Sequence, residues 1–253
     1  MALCTLLSAG VSGSAPESVA TAPPLPEFRF ARLAYNDNTA MGGFGRFGRG
    51  GGSWTTDAPE AEVHLLTGIR RLTRINTLDP LRDQLIAVRP GDPDLFEYPF
   101  LYGVEVGRWY LDDNEAANLR EYLLRGGFLM VDDFHGSAQW EGFMESMRRV
   151  FPDREVVEIP DDHPVFHVLY DLDHKIQIPG MAALMSGRTY EQDGVDPHWR
   201  GVFDDTGRLM VAINFNMDLG DAWELADNPE YPQPMTALAY RFAISYAIYA
   251  MSH

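Results

Sequence analysis

The 253-residue chain holds a single cysteine, Cys4. That excludes an intrachain disulfide, a cysteine-rich zinc site and a Cys-x-x-Cys redox pair, and it leaves no nucleophilic cysteine in the body of the chain. Basic residues are scarce: 20 Lys and Arg stand against 37 Asp and Glu, for a formal net charge of −17. Sequence-independent binding to nucleic acid or to an anionic membrane needs basic patches, so neither is expected. Long hydrophobic runs are also missing. The best candidate, residues 235–251, is shorter than a comfortable span and carries Arg241 at its centre, so it reads as a buried terminal helix and no transmembrane span is expected. Several catalytic frames are absent as well. There is no GxxxxGK[ST] phosphate loop, no GxSxG nucleophile elbow, no HExxH and no GxGxxG turn that joins a strand directly to a helix.

Hydrophobic residues nevertheless make up 45% of the chain, enough for a sizeable core. The first 26 residues differ from the rest. A mildly apolar start is followed by small residues with two small-x-small sites, Gly13-Ser14-Ala15 and Ala20-Thr21-Ala22, and then by Pro23, Pro24 and Pro26. This stretch reads as a signal peptide or a disordered tail, which makes the protein periplasmic or otherwise exported, with a cytoplasmic location as the alternative. Residues 27–253 contain no linker and read as one domain.

Residues 115–135, EAANLREYLLRGGFLMVDDFH, anchor that domain. Asp112 or Asp113 caps a helix over residues 114–125, and Gly126-Gly127 stops it. Residues 128–131 form a buried strand, with Asp132, Asp133 and His135 at its carboxyl end, the edge where open α/β sheets bind ligands. Upstream, residues 27–35 read as a strand. A glycine-rich segment over 36–53 reads as a surface loop or a flap carrying Arg46 and Arg49. Asp57 then caps a helix whose stripe is Val63, Leu66, Ile69 and Leu72. Short strands follow at 85–88 and 95–102. Downstream come a helix with Trp140, Phe143 and Met147, a strand at 155–159, loop over 171–198, and strands at 199–203 and 209–214 joined by Asp204-Asp-Thr-Gly207 as an edge hairpin. Strands alternating with helices predict an α/β fold, a doubly wound and mostly parallel sheet.

Three polar clusters could carry chemistry. Asp132, Asp133 and His135 follow a strand, and one carboxylate could bind a metal or orient the histidine while the other caps a turn. Asp161, Asp162, His163 and His167 include a His-x3-His spacing, which places two imidazoles on one helical face. Asn214, Asn216, Asp218, Asp221, Trp223 and Glu224 follow another strand and suit polyol recognition or a calcium site, although the EF-hand spacing is not met. Each cluster also has an ordinary structural explanation as caps, solvated loops or a core plug.

Six blocks in order, FRFARLAY, SWTTDAPEAEVHLLTGIRRLT, LREYLLRGGFLMVDDFHG, FPDREVVEIPDDHPVFH, GRLMVAINFNMDLGDAWE and YRFAISYAIYAMSH, resemble the bacterial domain of unknown function 4159 family. The resemblance spans residues 27–253. It implies a flavodoxin-like fold similar to class I glutamine amidotransferase-like domains, in a family often found attached to membrane-anchored or exported proteins. It does not imply an activity. Such amidotransferases carry a cysteine nucleophile at a strand-to-helix elbow, where this chain has Asp132-Asp133.

The functional expectation is a ligand-binding domain with Asp132, Asp133, His135, His163, Asn216, Asp218 and Trp223 lining a pocket at the sheet's carboxyl edge. The ligand would be a polar small molecule such as a sugar, or an envelope protein partner. The alternative is a metal-dependent hydrolase in which Asp133 (or Asp132), His135 and His163 hold a divalent metal ion and Asp218 serves as general base.

Overall fold

In chain order the strands are β1 (Phe30–Leu33), β2 (Asn36–Asp37), β3 (Ala87–Val88), β4 (Phe100–Val104), β5 (Trp109–Tyr110), β6 (Phe128–Asp132), β7 (Val157–Glu158), β8 (His198–Phe203) and β9 (Leu209–Phe215). The helices are α1 (Glu60–Leu72), α2 (Asp113–Leu124), α3 (Gly136–Val150), α4 (Met181–Met185), α5 (Leu219–Glu224) and α6 (Gln233–Ser252). This computed structural model describes residue 1 and residues 26–39, 52–82, 85–173 and 175–253. The signal-like stretch 2–25 and the segment 40–51 with Arg46 and Arg49 lie outside the described residues.

Seven strands form one sheet in the order β3-β1-β4-β6-β9-β8-β7, and β2 pairs with β5 in a separate ribbon. β3, β1, β4, β6 and β9 run parallel. β8 is antiparallel to β9, and β7 is antiparallel to β8. Numbered among themselves, the parallel strands lie in the order 2-1-3-4-5, which is the flavodoxin-like doubly wound order. The chain reverses direction across the sheet between β1 and β4, and that switch point opens a crevice at the strands' carboxyl ends. The β8–β9 hairpin lies on one side of the sheet with β7 outside it.

Each face of the sheet buries its own apolar cluster. Phe30, Phe128 and Met130 pack with Leu66 of α1, Trp223 of α5 and Phe242 and Tyr246 of α6. On the opposite face Leu101, Leu129 and Val131 pack with Leu119 of α2 and Phe143 of α3. This two-sided burial is why β6 reads as an unbroken apolar run.

The anchor stretch folds as its residues dictate. Asp112 accepts hydrogen bonds from the amides of Asn114 and Glu115, and Glu115 accepts one from the Asp112 amide at 3.0 Å, a complete capping box. Gly126 takes φ +108°, a left-handed conformation that ends α2 without the penalty a Cβ would bring. The opening of α1 differs from expectation. Asp57 does not cap it; Pro59 occupies the cap position and no side chain bonds the first turn. The buried face is Ala61, Glu62, Leu65, Leu66 and Ile69, while Leu72 is exposed. A charged pair causes this rotation, because the Arg32 guanidinium, buried in β1, contacts the Glu62 carboxylate and draws it inward.

Other elements are shifted. Residues 93–97 form a 3-10 helix, so the strand expected at 95–102 begins only at Phe100. The stretch expected to be loop between 171 and 198 contains α4, and the polar stretch after β9 contains α5. No helix among the described residues is long and apolar enough to cross a membrane.

Candidate functional site

The carboxyl ends of the three central strands share a backbone feature. Glu105, Asp133 and Asn216 directly follow β4, β6 and β9 and have φ of +54°, +51° and +63°. Asp57, in the segment after β1, has φ +61°. The left-handed region is disfavoured for a residue with a Cβ, by about 1–2 kcal/mol, with Asn and Asp penalised least. Hydrogen bonds between loops hold these positions: the Asp133 amide donates to Met217 O at 2.9 Å and the Asn216 amide to Phe134 O at 3.1 Å. The loops after β6 and β9 are thus tied together, and each turns a side chain out over the sheet edge.

Carboxylates converge there. Asp57, Asp133 and Asp218 each place an oxygen within 4.8 Å of the others, and so do Asp57, Asp221 and Glu224. Both sets could hold a metal ion, and Asp57 belongs to both. Short-range partners fix the surrounding groups. Asp132 Oδ2 accepts hydrogen bonds from the amides of Leu219 at 2.7 Å and Gly220 at 3.1 Å. Asp218 Oδ1 accepts from the Asp221 amide at 2.7 Å and caps α5. Asp221 Oδ2 accepts from the Met181 amide at 2.6 Å. One oxygen is left over: Asp57 Oδ2 is shut off from solvent and has no hydrogen-bond partner among the described residues. Gly220 allows the approach, since a Cβ there would stand 2.3 Å from Asp57 Oδ2 and 2.8 Å from the Tyr102 hydroxyl.

Burial and mutual repulsion dominate the electrostatics. The carboxyls of Asp57, Asp133 and Asp218 are all pushed well above the usual carboxylate range, first by burial and then by neighbouring acids. For Asp57 and Asp218 the strongest of those neighbours is Asp221; for Asp133 it is Asp218. Burial pushes Asp132 up to about 7, against the opposing pull of the Tyr102 hydroxyl and the Leu219 and Gly220 amides. Arg32 acts on Asp57 and Asp132, but its guanidinium already serves Glu62 and the carbonyls of Trp54 and Thr56. The acids therefore hold their protons or take a cation.

The residues singled out in the sequence are distributed unevenly. Asp132, Asp133 and Asp218 meet at this edge. His135 is buried beside Asp133, with Nε2 3.3 Å from Asp133 Oδ1, so it orients that carboxylate and is absent from both metal-competent sets. Burial pulls its imidazole down to about 4, which keeps it neutral. Asn216 is fully engaged: Oδ1 accepts from the Gly136 amide at 2.9 Å and Nδ2 donates to Asp196 O at 2.7 Å. Trp223 is a core plug lying edge-on to Tyr102, with ring centroids 5.5 Å apart.

His163 departs from expectation altogether. Its Nδ1 accepts from the Val165 amide to cap a 3-10 helix, and its ring packs on Phe203 and Tyr249. Tyr249 bonds the amide of Leu209, the first residue of β9, so His163 lies at the amino edge of the sheet and cannot join Asp133 on a metal. The residue after it is proline, which starts that 3-10 helix, and His167 turns instead to Asp161 O and Asp171.

Sequence reasoning passed over Asp57 as a ligand because an acid just before Pro59 resembles a helix cap. For Asp221 and Glu224 a signal was present, since an i, i+3 pair of acids shares one helical face. A polar cleft of about 410 Å³ opens on the same edge, beyond Asn216, and Trp140, Asp193, His198 and Arg200 line it. Trp140, rather than Trp223, is the aromatic surface available there.

A family described as a domain of unknown function, DUF4159, has a model that matches residues 29–251. No curated protein matches the chain.

Proposed function

Since the chain belongs to the DUF4159 family, whose description assigns no activity, we propose a function from the site: a divalent-cation-dependent ligand-binding domain acting at the carboxyl edge of its sheet. Asp57, Asp133 and Asp218 hold the cation, and its open coordination positions face a polar, oxygen-bearing small molecule. The carrying observation is the convergence of these three carboxylates within 4.8 Å, with Asp57 Oδ2 buried and unpartnered. Hard cations such as Mg²⁺, Mn²⁺ and Ca²⁺ take oxygen ligands of this kind. A bound cation also cancels the repulsion that otherwise forces these acids to keep protons. His135 supports the site by orienting Asp133, as outer partners of metal ligands do.

Asp133, left-handed immediately after β6, also supports the finer likeness to the class I glutamine amidotransferase-like fold. In that likeness the elbow after the central strand presents a cation ligand where the amidotransferases present a nucleophile. Glutaminase chemistry forms no part of the proposal.

Equilibrium dialysis against Mg²⁺, Mn²⁺ and Ca²⁺, with thermal unfolding of the same samples, tests the reading. At a hundred times Kd one bound cation stabilises the fold by about 2.7 kcal/mol. Asp57→Asn abolishes binding. If purified wild-type protein retains no cation and its melting temperature does not respond to any of the three, the reading is wrong.

A further inference from the structure

We propose that the sheet edge holds two hard divalent cations bridged by Asp57: an inner one on Asp57, Asp133 and Asp218, and an outer one on Asp57, Asp221 and Glu224. This rests on the cation-dependent reading above and extends it to a second site with a different exposure.

The two carboxylate sets overlap only at Asp57, and in each the ligand oxygens lie within 4.8 Å of one another. They lie at different depths. Asp133 and Asp218 are 9% and 5% exposed, whereas Asp221 and Glu224 are half-buried. Asp221 and Glu224 sit three residues apart on α5, with a carboxylate oxygen of each within 4.8 Å of the other. The independent sign of a missing ligand is Asp57 Oδ2, which is sealed from solvent and has no donor among the described residues. Its position next to Gly220, the second residue of α5, sets the shared carboxylate against the helix that carries Asp221 and Glu224.

Depth assigns the roles. The inner cation is walled in by side chains and ties the loops after β6 and β9 to the segment after β1. The outer cation rests on half-exposed ligands and keeps positions open to water or to a ligand oxygen. A pair of cations sharing one carboxylate is the arrangement that clamps oxygens on both sides of a reacting centre, so the outer site is where a ligand enters.

Manganese is a suitable probe. The wild-type chain is loaded with Mn²⁺, dialysed and examined for metal stoichiometry by mass spectrometry and for magnetic coupling by electron paramagnetic resonance. The expected result is two Mn²⁺ per chain with an exchange-coupled spectrum. In the double variant Asp221→Asn/Glu224→Gln, stoichiometry drops to one and the spectrum reverts to an isolated six-line ion. Circular dichroism checks that the variant is folded, and since both positions are half-exposed its fold should be retained. One uncoupled Mn²⁺ in the wild type, unchanged in the double variant, overturns the second site and leaves the single-cation reading standing. Two uncoupled ions overturn the sharing of Asp57. No bound Mn²⁺ at all removes the cation-dependent reading itself.

Discussion

Arg32 and Glu62 form an ion pair inside the protein, with side chains 0% and 2% exposed, beside the edge where the acids gather. The guanidinium also stacks over the Tyr102 ring at 5.1 Å. Buried pairs of this kind contribute little net stability, but removing one partner strands the other. Glu62→Ala is therefore expected to destabilise the fold by about 3–5 kcal/mol. The double variant Arg32→Met/Glu62→Met should lose far less. Urea unfolding of the two variants measures the difference, and equal losses would show that the pair is not acting as a unit.

Asp57→Asn separates stability from cation binding. In the metal-free protein the amide relieves repulsion among buried acids, so the variant should be more stable than wild type. The same change removes the shared ligand, so added Mg²⁺ or Mn²⁺ should no longer raise its melting temperature. Thermal unfolding with and without cation tests both halves, and a metal-free variant less stable than wild type contradicts the repulsion argument.

The pH dependence follows from shifts of opposite sign. Asp132 titrates at about 7 in the fold against 3.8 ordinarily, so between those values the folded state binds more protons than the unfolded chain. Its contribution is complete at low pH and is lost as pH rises through that window. His135, pulled down to about 4 from 6.5, has the reverse effect and contributes stability that is lost as pH falls below 6.5. Asp57, Asp133 and Asp218 shift in the same direction as Asp132, so the carboxylates outweigh the histidine. Metal-free protein should lose stability between about pH 4 and 7. His135→Gln should steepen that loss, and saturating Mg²⁺ should flatten it. Melting temperatures across the range decide the matter; a metal-free stability that rises steadily to pH 7 would count against buried, proton-holding acids.

Asp112→Ala serves as a control remote from the edge. It removes the capping box of α2 and should cost about 1 kcal/mol. Cation affinity should stay at the wild-type value. A parallel loss of affinity would indicate that cation binding merely follows global stability.

Gly220→Ala probes the close approach without altering any charge. A methyl group there meets Asp57 Oδ2 at 2.3 Å and the Tyr102 hydroxyl at 2.8 Å, so Asp57 must move. Cation affinity should fall at least tenfold, with circular dichroism unchanged. Wild-type affinity would place the shared carboxylate elsewhere.

The architecture was largely legible in the sequence because its signals are local. The Asp112–Glu115 box, the Gly126 stop and the apolar run of β6 each follow from a few neighbouring residues. Half of the site was legible for the same reason: Asp132, Asp133 and Asp218 follow strands, and strand ends converge. The remainder depended on distance along the chain. Glu62 turns inward only because Arg32 lies across from it. Asp57 leaves the cap position to meet acids from the far end of the chain. His163 carried the right chemistry on the wrong edge, a fact visible only once the direction of β9 and its contact with Tyr249 are known.

The acids at the sheet edge come from the segment after the first strand, the loop after the central strand and the helix after the last, so they meet only when every crossover of the chain is in place. A cation on them would act as a topological latch. It would reward the completed fold and no partial one, because late-forming contacts of this kind slow unfolding while leaving the rate of folding nearly untouched. Fragments ending before β9 would gain nothing from the ion. In an acidic chain held together at its edge by metal, chelation would then shorten the lifetime of the native state before it altered the shape of that state.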